Sequence, residues 1–137
     1  MEDVIPFFVK IVRKKCEYIK KKYYLCSRNL FVMEIVFEKD YLRELYYDGK
    51  TNDKQHRYQP QIVKKYVNVV NILDAVTKVE DLFRYNSLHY EKLHGDKEGF
   101  ESVRVNDQYR IEFRSSENVE KSITICNITE LSNHYKK

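Results

Sequence analysis

From Met33 onward the chain alternates by twos, then by threes and fours, then by twos again. Met33, Ile35 and Phe37 alternate with Glu34, Val36 and Glu38, which predicts a half-buried strand. Tyr41, Leu42, Leu45 and Tyr46 recur at helical spacing, and Gly49 is placed to end that helix. A polar loop over 50–58 leads to Pro60, suited to the first turn of a second helix. There Ile62, Tyr66, Val69, Val70, Leu73 and Val76 form a continuous apolar stripe. A short helical piece is expected over 79–84. The period then returns to two over 100–105, 109–114 and 119–128, an antiparallel meander. One strand, a helical pair and a meander make an α+β domain.

The register of the hairpin in the meander follows from which residues must share a face. A two-residue turn at Asn106-Asp107 would set Val103 opposite Arg110 and mix core with charge. A three-residue loop, Asn106-Asp107-Gln108, pairs Val105 with Tyr109, Arg104 with Arg110 and Val103 with Ile111, giving one apolar and one polar face. It also sets two arginines directly opposite each other, a repulsion of about 0.2–1 kcal/mol. Glu112 on the same face offsets it if the cluster is ordinary surface charge. A bound phosphate offsets it if the pair is functional, through charge-assisted hydrogen bonds.

Composition narrows the class. The 137 residues suit one domain, and 14% aromatics with 12 Tyr exclude a disordered chain. Three Gly and two Pro exclude linker-like or collagen-like architectures. No apolar run reaches the ~20 residues of a membrane span, and charge follows rather than precedes the short apolar start, the wrong order for a secretory signal. Cys16, Cys26 and Cys126 show neither pairing nor zinc-ligand spacing. A reducing cytoplasmic location is expected, with Cys126 buried in a strand.

The net charge of +4 is unevenly placed. Residues 1–32 hold eight Lys/Arg against three acids, while 33–137 hold 17 against 18. Phe8, Val12, Cys16, Ile19 and Tyr23 fall at helical spacing, so 1–32 reads as a basic amphipathic helix. Two uses are open: binding an anionic membrane or RNA, or an accessory extension from a start upstream of Met33 that the domain does not need. Within 33–137 any nucleic-acid contact must rest on a local patch.

That patch has candidates. Two glycines, Gly95 and Gly99, let the loop after Lys92 turn sharply and leave His94 and Lys97 at its rim. No phosphate-cradling Walker pattern is present. The chain ends Asn133-His134-Tyr135-Lys136-Lys137, a second cluster able to move protons or hold phosphates. His56 and His89 carry no comparable motif.

The runs KLHGDKEGFESVRVNDQYRIEF (92–113) and ITICNITELSNHYK (123–136), preceded by MEIVFEKDYLREL from Met33, resemble the HigB branch of the RelE/ParE toxins of type II toxin–antitoxin systems. The resemblance covers 33–137. It implies the RelE-like α+β fold, a curved antiparallel sheet with two or three helices on one face. The activity implied is a ribosome-dependent endoribonuclease that cuts A-site mRNA through the ribose 2′-OH, without metal or cofactor. Position by position, Arg110 and Arg104 match phosphate-contacting positions, and Lys97 matches a basic loop residue; Lys92 and Lys136 join the RNA-binding set. His134 and Tyr135 fall where such chains end in Asp-Tyr-His, although here the order is Asn-His-Tyr. His94 stands where a lysine is usual. An imidazole serves as acid or base with little tuning, which ranks His134 first and His94 second. The implied partners are a HigA-like helix-turn-helix antitoxin and the ribosome with its A-site mRNA. The chain shows no DNA-reading helix of its own. A gyrase-poisoning ParE-like toxin and a degenerate antitoxin-binding member are the alternatives.

Overall fold

The computed structural model describes residues 32–121 and 123–133. The expected amphipathic helix of the N-terminal segment, and the candidate site residues His134, Tyr135 and Lys136, lie outside the described residues. The described residues form five strands and two α-helices: β1 (Val32–Phe37), α1 (Asp40–Tyr47), α2 (Pro60–Ala75), β2 (Glu91–Lys92), β3 (Glu101–Arg104), β4 (Tyr109–Asn118) and β5 (Ile123–Asn133).

The helices form where their apolar periodicity predicts. In α1 the buried residues are Tyr41, Leu42 and Leu45. Gly49, at φ +74°, supplies the left-handed residue just past its end. Pro60 sits in the first turn of α2, where its missing N–H costs no helical bond. Val63, Tyr66, Val69, Val70 and Leu73 are the buried face, with Val63 deeper than the expected Ile62. The Tyr66 hydroxyl, wholly buried, donates to the Leu42 carbonyl at 2.9 Å and ties the two helices together. The piece Val79–Arg84 is a 3-10 helix whose Leu82 is buried.

The strands form one sheet in the order β1-β5-β4-β3-β2. It is antiparallel except at β1, which runs parallel to β5 in the register Ile35↔Cys126. Periodicity marks a strand but not its neighbour, so the parallel edge was not foreseeable from alternation. The long crossover through both helices is what permits it. Cys126 is fully buried, as its place in an alternating strand predicts. The last strand begins at Ile123 rather than at residue 119 and runs on to Asn133. Val119 is 81% exposed, and the Asn118 side chain accepts the Lys121 N–H at 3.2 Å, closing a turn that the alternation had run straight through.

Between β4 and β5 the register slips. Glu112 faces Glu130 and Phe113 faces Ile128, so Thr129 is an extra residue in β5. Its hydroxyl donates to the Glu112 carbonyl at 3.0 Å. Such a bulge shifts the alternation by one. Before it Cys126 and Ile128 point into the core; after it Leu131 does, and Glu130 is released to the other face.

Candidate active site

The face turned away from the core carries a cleft of about 660 Å³. Its floor is β4 and β5, with Arg110 and Glu112 from one strand and Glu130 and Ser132 from the other. Lys97 closes one side and the loop before α2, with His56 and Tyr58, the other.

The β3–β4 register is the one expected. Arg104 pairs with Arg110 and Val103 with Ile111, and the Val105 N–H reaches the Tyr109 carbonyl at 3.0 Å. The loop between them is locked by the Asn106 side chain, which accepts the N–H groups of Gln108 and Tyr109 at 2.9 and 2.7 Å. The two arginines find separate anions. Arg104 pairs with Asp107 in the loop. Arg110 reaches Glu91 at 2.9 Å, donates to the Ser102 hydroxyl at 3.1 Å and to the His89 carbonyl at 2.9 Å. Glu112, expected to face the arginines, is instead held by Lys97, whose Nζ lies 2.6 and 2.9 Å from its two carboxylate oxygens. The reason is reach: Lys97 comes over the strand from the glycine-flanked turn, while Glu91 on the edge strand β2 lies beside Arg110.

The sites predicted from sequence therefore divide. Lys97 and Arg110 line the cleft. His94 and Lys92 line a separate depression of about 310 Å³, together with Phe100, Glu101 and Ser115. Arg104 is not among the cleft-lining residues. Beneath that second depression Glu101 is buried beside the core and fully engaged. It accepts the Tyr90 hydroxyl, the Ser115 N–H at 3.1 Å and the Ser115 hydroxyl at 2.5 Å. Burial, reinforced by the Glu101 bond, pushes the Tyr90 phenol well up.

Among the cleft residues that the sequence did not single out as site candidates are His56, Tyr58 and Glu130. His56 follows Asp53 by three residues across a 3-10 turn, Lys54–His56, so its Nδ1 lies 2.7 Å from the Asp53 carboxylate. That bond and the Gln55 N–H hold the Asp53 carboxyl below its ordinary value. The imidazole stacks on the Tyr41 ring, with centroids 3.7 Å apart and planes 9° from parallel. Tyr41 in turn accepts the Leu131 N–H at 3.3 Å, which anchors the stack to β5. Tyr58 meets Tyr109 edge to face at 5.3 Å. A three-residue Asp-x-x-His spacing ahead of a proline-started helix was the available signal, and a turn of three is what makes it work.

Chemically the cleft offers cations for a phosphate, an oriented imidazole, a carboxylate and two tyrosine rings against which a base can stack. Among the described residues no group of three or more His, Cys, Asp or Glu could hold a metal ion, and no helix is long and apolar enough to cross a membrane.

Comparison with known proteins agrees with the motifs. Toxin HigB-1 of Vibrio cholerae is 34% identical over 83 residues, 60% of this chain and 83% of that protein. Among solved structures, the YoeB/ParE toxin from Agrobacterium tumefaciens matches with a TM-score of 0.46 at 17% identity, covering 75% of this chain and all of that one. A YafQ mutant from E. coli matches with a TM-score of 0.43 at 11% identity, covering 74% and 93%. The sequence profile of RelE-like HigB toxins of type II toxin–antitoxin systems matches residues 35–125, and the chain belongs to that family.

Proposed function

We propose that this toxin is an mRNA endoribonuclease that acts in the cytoplasm on ribosome-bound message. The observation that supports it most is the shared lining of the cleft: Arg110 and Lys97 stand with Asn133, the residue that precedes His134 in the chain. The toxin unit in this reading is 33–137.

The reaction attacks the scissile phosphate with the neighbouring ribose 2′-oxygen. It needs donors for the growing charge and an acid for the departing 5′-oxygen. Arg110 supplies the donors. Its present partner Glu91 is half exposed and sits on a two-residue edge strand, so a phosphate can take its place. Lys97 adds positive charge beside it. His134 exchanges the proton at the leaving group, with Tyr135 beside it and His94 second in rank. Arg104, Lys92 and Lys136 hold the RNA further along its backbone. The partner that silences the toxin is a HigA-like helix-turn-helix antitoxin covering the cleft.

Ribosomes programmed with a defined mRNA test this directly. Wild-type toxin should cut the message, and Arg110→Ala should slow cutting about a hundredfold or more. Growth arrest that persists in Arg110→Ala and His134→Ala, with gyrase–DNA complexes accumulating, would establish the gyrase-directed alternative instead.

A further inference from the structure

The Asp53–His56 pair is built like a proton-transfer device and stands in the cleft, although it lies outside every motif that pointed to nuclease chemistry. We propose that His56 is a catalytic residue of the cleavage reaction, its Nε2 taking the proton from the ribose 2′-OH, with Asp53 as its positioning residue. This rests on the endoribonuclease reading above.

The tautomer follows from the geometry. Asp53 is ionised at neutral pH, because the His56 and Gln55 hydrogen bonds favour its charged form. A carboxylate only accepts, so the Nδ1 that lies 2.7 Å away carries the hydrogen. In the neutral ring the lone pair is then on Nε2, the nitrogen that Asp53 does not occupy. The ring cannot swing freely. It is stacked face to face on Tyr41, which is buried and tied to the Leu131 N–H, so the imidazole keeps one orientation relative to the β5 floor. Arg110 and Glu130 belong to that floor, and Lys97 lines the same cleft. The arginine suited to the phosphate and an oriented imidazole thus line one cleft, the two groups that attack by an adjacent hydroxyl calls for.

The step balances without a co-reactant. Nε2 takes the 2′-OH proton, the 2′-oxygen forms a bond to phosphorus, and the bond from phosphorus to the 5′-oxygen breaks. The 5′-oxygen leaves with a proton from the acid, which is His134 in the reading above. A 2′,3′-cyclic phosphate and a 5′-hydroxyl result.

The test uses the full chain on programmed ribosomes under single-turnover conditions. His56→Gln should lower the cleavage rate about a hundredfold while ribosome affinity stays at the wild-type value. Asp53→Asn keeps the ring and its stack, and should lower the rate about tenfold, again without loss of affinity. An mRNA with sulfur in place of the bridging 5′-oxygen at the mapped cut site needs no acid for its leaving group. The His56→Gln defect should persist on that substrate, whereas a His134→Ala defect should largely disappear. Rescue of His56→Gln by sulfur would overturn the assignment, because it would make His56 the acid. A wild-type rate in folded His56→Gln, or a loss confined to Glu130→Gln, would overturn it too, while the nuclease reading would survive. A wild-type toxin that cuts no mRNA on any ribosome fails both.

Discussion

Strands β4 and β5 show two faces made from alternate residues of the same segments, and the faces are built by opposite rules. On one, Ile111, Phe113, Cys126 and Ile128 are wholly buried against the helices, and packing alone secures them. On the other, Arg110, Glu112 and Glu130 carry charge into a cleft, and the first two are held by partners from elsewhere in the chain: Glu91 for Arg110, Lys97 for Glu112. The first face tolerates no vacancy. The second is made of replaceable contacts, which a site that must exchange a carboxylate for a phosphate requires. Stability and chemistry are thereby separated across the thickness of one sheet.

Substitutions that respect or violate this separation sharpen it. The largest effect belongs to the packed face. Phe113→Ala should cost about 3–5 kcal/mol in urea unfolding, because the ring is fully enclosed and its cavity cannot collapse. Next comes alkaline pH. Burial raises the phenols of Tyr41 and Tyr46 from 10.0 to about 12, Tyr46 also feeling the Asp74 charge. A group whose folded value is raised contributes stability that is present below its unfolded value and lost as pH climbs toward the folded one. Melting temperature should therefore fall steadily between pH 10 and 12, with phenolate absorbance from these two tyrosines delayed over the same interval. The smallest effect belongs to the cleft: Lys97→Met leaves the nearly buried Glu112 carboxylate unpaired, but Lys97 itself is half exposed and water can follow it in, so the loss should be about 1–2 kcal/mol. A Lys97→Met cost equal to that of Phe113→Ala would erase the distinction between the faces.

Much of this was legible from the sequence, for identifiable reasons. The β3–β4 register and the opposed Arg104 and Arg110 followed from keeping Val103 and Ile111 on one face, since a slip of one residue would bury charge. The ends of α1 and α2 followed from Gly49 and Pro60, whose backbones leave few choices. Partners did not follow. That Arg110 meets Glu91 rather than Glu112 depends on where an edge strand and a glycine turn arrive in space, and no spacing along the chain encodes it. For His56 the three-residue spacing from Asp53 marks the pair but not its place in the cleft, because the ring stacks on Tyr41 of α1 and those residues belong to different elements. The bulge was half visible. Cys126, Ile128 and Leu131 step by two and then by three, a break in period that marks an inserted residue.

That inserted residue, Thr129, gives β5 a parity. A residue lost between Ile123 and Ile128 can be absorbed by straightening the bulge, which turns over only the side chains between the deletion and Thr129 and leaves Glu130 and Leu131 on their present faces. A residue gained there finds no such slack: it must form a second bulge or turn one half of the strand over, setting Cys126 outward or Glu130 against the helices. In β5 a shorter strand is therefore easier to fold than a longer one.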